Sequence, residues 1–128
     1  MFEITNAKLF EDLVEFEFEG AMVDLHSDYL CVQIKLFENS TLCVFYFKHR
    51  EEKGSIEIHF CSPRLSELNI DWPLNENASI LEAFYRGRYE ESTELKEVTK
   101  SNEKIYYLHF IEGININVFA TDVFLKFN

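Results

Sequence analysis

The sequence predicts a mainly β fold, α+β at the margin: an antiparallel sandwich, barrel or strongly curved sheet of seven to nine strands with one or two short helices. Three observations carry this. Val14-Glu15-Phe16-Glu17-Phe18-Glu19 alternates apolar and acidic without a break, and side chains alternate faces along a strand. The same period of two returns at Ile56–Phe60 and Ile114–Val118. Turn residues separate such segments: Gly20, Glu38-Asn39-Ser40, Pro63 and Glu112-Gly113.

The elements follow in order. Met1 to Leu13 fits either a short helix capped by Thr5 or Asn6 or an early edge strand. Leu13 to Glu19 is a strand that Gly20 ends. Met22 to Leu25 is a short strand, followed by Leu30 to Leu36, where Val32, Ile34 and Leu36 alternate with Gln33 and Lys35. Leu42 to Phe47 is apolar on both faces and reads as a central strand. With Ile56–Phe60 these segments make a meander of hairpins. Leu68, Ile70 and Trp72 alternate once more before Pro73.

From Asn75 to Arg88 the pattern changes. Ser79 and Glu82 have capping-box spacing, Leu81, Phe84 and Tyr85 have helical spacing, and Gly87 suits a helix stop. One short helix is predicted here. Glu90 to Lys104, the most polar stretch, is expected to be an exposed loop. Ile105 to Ile111 is a strand. Ile114–Val118 and Val123–Phe127 are two more, or one strand bent by a bulge at Ala120-Thr121-Asp122.

The chain of 128 residues fits one domain, 1–128. Thirteen Phe and an apolar fraction of 47% provide a core, although an AT-rich genome would also enrich Phe, Ile, Asn, Lys and Tyr. Met1-Phe2-Glu3-Ile4 has no basic or apolar leader character. The longest apolar run, Leu42 to Phe47, is far short of the roughly 18–20 residues of a membrane helix. A cytoplasmic protein without membrane contact is expected. Cys31, Cys43 and Cys61 are odd in number and form no C-x-x-C pair, so they read as small core residues.

No Gly-rich phosphate loop, G-x-S-x-G or H-E-x-x-H pattern is present, and no enzyme, cofactor or metal is expected. His59 and Cys61 are the one close His/Cys pair and lack the second pair a zinc site needs. Nucleic-acid binding calls for a basic patch. Arg86-Gly87-Arg88, flanked by Tyr85 and Tyr89, is the densest basic stretch in a chain of net charge −11.

Acid dominates one end. The first thirty residues hold eight acidic side chains and one base, Lys8, whereas Cys31 to Ser62 has four of each. Glu15, Glu17 and Glu19 are expected about 6.6–6.8 Å apart on one strand face. Each neighbouring pair then repels by about 0.6 kcal/mol in water, which folding tolerates as a solvated face. The same row can steer an oppositely charged partner, and Asp24 and Asp28 widen it if their loops fold alongside.

In size, acidity and β content the chain resembles bacterial immunity proteins of contact-dependent inhibition and related polymorphic toxin systems. The resemblance is one of class and not of motif. It implies a protein-binding role: neutralising a cognate, basic, nuclease-type toxin through the acidic surface Glu15/Glu17/Glu19 with Asp24 and Asp28, and with Tyr85 and Tyr89 as candidate aromatic anchors. Two other classes fit the composition, an acidic chaperone for a secreted effector and a small β-barrel for an apolar ligand. Chaperones of that kind usually carry longer terminal helices, and this chain ends in strands.

Overall fold

A computed structural model describes residues 2–37, 41–65, 79–87, 89–91, 94–96, 102–111 and 113–128. Thirteen strands lie among them: β1 (Phe2–Glu3), β2 (Glu15–Phe18), β3 (Ala21–Asp24), β4 (Tyr29–Leu36), β5 (Leu42–His49), β6 (Ser55–Cys61), β7 (Arg64–Leu65), β8 (Leu81–Arg86), β9 (Tyr89–Glu91), β10 (Glu94–Lys96), β11 (Lys104–Phe110), β12 (Ile114–Ala120) and β13 (Asp122–Phe127). Nine have four residues or more, the upper end of the expected number. No α-helix occurs among the described residues.

Two sheets make the body. One has the order β1-β13-β6-β5-β4, and the other β7-β12-β11-β8. All neighbours run antiparallel, and β4-β5-β6 is the expected meander. Between the sheets lie the buried halves of the alternating strands. Phe45 and Phe60 of the first sheet meet Phe84 and Tyr106 of the second, with Phe60 5.4 Å from Phe45, 6.3 Å from Phe84 and 5.7 Å from Tyr106, all in edge-on geometry. Such pairs add about 0.5–1.5 kcal/mol each beyond their burial. Each sheet ends in edge strands and does not close on itself. The fold is therefore a sandwich and not a barrel.

One pair of strands serves both sheets. β6 and β13 are neighbours in the first sheet, and their continuations β7 and β12 are neighbours in the second. The chain turns the corner at Ser62, whose φ is 48°, and again at Thr121. There Thr121 donates its backbone N–H to the Cys61 carbonyl at 3.1 Å and its hydroxyl to the same oxygen at 3.3 Å. Strands that bend from one sheet to the other commonly form the corners of such sandwiches. Residues 114–127 are thus two strands in different sheets, not one strand bent by a bulge.

The predicted helix near Ser79 is also corrected: Leu81–Arg86 is strand β8. Its register against β11 runs Leu81↔Phe110 and then Ala83↔His109, which leaves Glu82 as an unpaired bulge residue. The bulge resets the alternation, so Leu81 and Phe84 both face the core although they are three apart. That spacing mimics a helix. Gly87 is no helix stop. It lies buried beneath the Tyr107 ring, where a Cβ would overlap the ring carbons.

The polar stretch 90–104 is not all loop, since β9 and β10 pair as a short hairpin with Leu95 opposite Glu90. The N-terminal segment forms no helix: Phe2–Glu3 is a two-residue edge strand with Phe2 opposite Leu125, Leu9 makes an isolated bridge to Arg86, and Phe10 to Leu13 lie outside strands. The strand expected at Leu68–Trp72, and residues 75–78 of the expected helix, lie outside the described residues. Among the described residues no helix is long and apolar enough to cross a membrane.

Candidate acidic docking surface

β2 and β3 form a hairpin closed by Glu19-Gly20, with φ of 50° and 80°. Two successive positive φ values define the two-residue turn whose twist suits a hairpin, and glycine takes its second position without strain. The apolar back of β2 packs inward. Phe18 stacks on Phe127 at 3.9 Å, Phe16 meets Phe127 at 6.1 Å, and Phe2 contacts both hairpin rings. Glu15 and Glu17 are left facing solvent. The alternation at Val14–Phe18 therefore does what its pattern implies: it seats the hairpin on the sandwich and holds a row of carboxylates outward.

Glu19 does not continue that row. It sits in the turn, at the mouth of an open cleft of about 620 Å³ shared with Phe2, Phe18, Lys126 and Phe127. Across the hairpin Met22 stands opposite Glu17 and is 66% exposed, the most exposed large apolar side chain among the described residues. Asp24 stands opposite Glu15. The Asp24 carboxylate accepts hydrogen bonds from the backbone N–H of His26 and of Ser27, both at 2.9 Å. It therefore braces the turn into β4 as well as carrying charge.

Asp28 lies on the far side of that turn. With Met22, Tyr29, Glu51 and Glu52 it borders a second cleft of about 500 Å³. Burial, and then the carboxylates of Asp28 and Glu52, push the Tyr29 phenol above its ordinary value.

Folding adds two carboxylates that sequence spacing did not reveal. Asp12, Glu15, Asp24 and Glu82 line one notch of about 330 Å³ together with His26. Asp12 is held there because its carboxylate accepts the Val14 N–H at 3.0 Å. Glu82 arrives as the bulge residue of β8, 67 positions after Glu15 in the chain. His26 fastens the hairpin base to the same strand, its Nδ1–H donating to the Leu81 carbonyl at 2.9 Å. The Leu13 N–H also donates to the Phe84 carbonyl at 2.6 Å. Only strand pairing brings Glu82 here, so no local signal in the sequence could have named it.

Tyr85 is elsewhere. It projects from the outer face of the second sheet, 5.2 Å from Tyr107 in a stacked pair, 5.5 Å from His109 and 6.1 Å from Phe10. It does not join the carboxylates of the hairpin. Tyr89 opens β9, and its side chain lies outside the described residues.

Burial pushes the Cys43 thiol up to about 12 and raises Cys31 further. Cys61 is raised by burial and by Asp122. Nucleophilic cysteines have the opposite shift. Glu57 accepts from His59 Nε2 at 3.0 Å and from Asn128 Nδ2 at 2.7 Å. Burial alone would raise its carboxyl, but these hydrogen bonds and the Lys126 charge outweigh burial and hold it below the usual range. Among the described residues no group of three or more His, Cys, Asp or Glu is arranged to hold a metal ion.

No protein-family model matches the chain, and no curated protein or solved structure is significantly similar to it.

Proposed function

We propose that this is a cytoplasmic binding protein of the immunity type, which neutralises a basic protein toxin by docking it on the acidic hairpin and its adjoining notch. One observation carries the reading. The fold gathers Asp12, Glu15, Asp24 and Glu82 from three separate segments instead of spreading them, and none of them forms an ion pair with a described residue. Asp12 and Asp24 also accept backbone N–H groups of their own turns, but Glu15 and Glu82 add like charge beside them, which stability alone does not favour, whereas a field of one sign speeds and orients the approach of a basic surface. Exposed Met22, set opposite Glu17 on the solvent face, supplies an apolar contact inside the acidic rim.

Of the other classes, a ligand barrel needs a lumen, and here the space between the sheets is filled by Phe45, Phe60, Phe84 and Tyr106.

The test is affinity capture from the native host, followed by titration of the captured basic protein over a range of salt. The affinity should fall steeply with salt. Glu15→Lys, Glu17→Lys and Glu82→Lys together should weaken it and flatten the salt slope. An unchanged affinity and slope in that triple variant would falsify the proposal.

A further inference from the structure

We propose that two copies of this chain pair through β4, edge to edge and antiparallel, joining their five-stranded sheets into one continuous sheet. β4 is eight residues long and stands at the end of its sheet. Among the described residues only β5 pairs with it. Among the described residues its other side has no strand partner for its outward N–H and C=O groups, and such an edge templates a further strand.

Charge selects the occupant. In a chain of net charge −11, Tyr29–Leu36 contains no acid and one base, Lys35. Two copies that approach by this edge avoid the carboxylates that would repel them at the hairpin. Val32 and Leu36, 47% and 50% exposed, are two of the five large apolar side chains left in solvent among the described residues, and both lie on this strand.

The register is self-complementary. Cys31 pairs with Phe47 and Ile34 with Phe45, so both face the core although three positions separate them. The bulge at Val32 causes this. A twofold axis at Val32–Gln33 then sets Cys31 opposite Ile34 of the second copy, core side to core side. It sets Leu30 opposite Lys35 of the second copy, solvent side to solvent side. Without the bulge that axis would match inward residues to outward ones. Lys35 is the one charged side chain of the strand and meets Leu30 of the second copy, so the seam opposes no like charges.

Sedimentation equilibrium of the whole chain tests this. The wild type should weigh twice the chain mass, and Val32→Lys/Leu36→Lys should weigh one chain mass while keeping its β circular dichroism. Both substitutions are at exposed positions, so the fold should survive. The register is tested by Leu30→Cys/Lys35→Cys in a Cys61→Ser background. Within one copy the two positions are about 17 Å apart along the strand, beyond the roughly 7 Å that a disulfide spans, so oxidation should give a covalent dimer. A wild type that is monomeric at every concentration overturns the proposal and leaves the bulge and Lys35 as devices that keep the edge unpaired. A folded double-Lys variant that stays dimeric, or no covalent dimer, overturns it equally.

Discussion

The Tyr106 hydroxyl donates a 2.9 Å hydrogen bond to the Thr5 carbonyl in the interior of the sandwich, where both residues are buried. Thr5 is tied in turn to β13, because its hydroxyl accepts the Val123 N–H at 3.0 Å. The second sheet, the N-terminal segment and the first sheet are thereby linked by polar contacts inside an apolar core. Tyr106→Phe leaves the Thr5 carbonyl without this donor and should cost about 1–3 kcal/mol. A urea titration should show a lower midpoint with an unchanged slope.

Gly87 lies under the Tyr107 ring, which is itself stacked on Tyr85. Gly87→Ala forces the ring off its stack and should destabilise the fold by about 1–3 kcal/mol. In a Tyr107→Ala background the same change should cost much less. The coupling in that double-mutant cycle is the quantity to measure.

Glu57 is held below the usual carboxylate range by Asn128, His59 and Lys126 acting against burial. A folded-state value below the unfolded one contributes stability that is complete above the unfolded value, roughly pH 4.3. That contribution is lost as pH falls through the folded value. Wild type and Glu57→Gln should therefore differ most in denaturation midpoint near neutral pH and converge in acid. A constant difference across the whole range would contradict the assignment.

Glu15 faces Asp24 across the hairpin and shares a notch with Asp12 and Glu82. Glu15→Lys converts a like-charge cross-strand pair into an opposite one, and should stabilise the chain by roughly 0.2–1 kcal/mol at low salt. Added salt should shrink the gain. The same substitution should weaken capture of a basic partner, so stability and binding move in opposite directions.

Strands with one wet face were legible in the sequence because burial on one side alone produces a period of two. Phe16 and Phe18 against Glu15 and Glu17 show this, as do Ile56, Ile58 and Phe60 against Glu57 and His59. β8 was not legible. Its bulge at Glu82 places Leu81 and Phe84 on one face at a spacing that an α-helix shares. The hairpin of β9 and β10 was hidden for another reason, since a strand rich in Glu and Lys carries no apolar signal. At the acidic surface the row Glu15/Glu17 was readable, being local. Glu82 was not, because strand pairing alone carries it there. Thr121 announced a change of direction, but nothing local states that the chain changes sheets at that point.

That corner has a consequence for how the molecule comes apart. β6 and β13 carry the first sheet and, through β7 and β12, also hold the second. The chain passes from one layer to the other at two neighbouring places, Ser62 and Thr121, so the two layers are tied together where their ladders meet. The sandwich should therefore open as one cooperative unit. The slowest-exchanging amides of β6 and those of β12 should report the same opening free energy, whichever sheet they belong to.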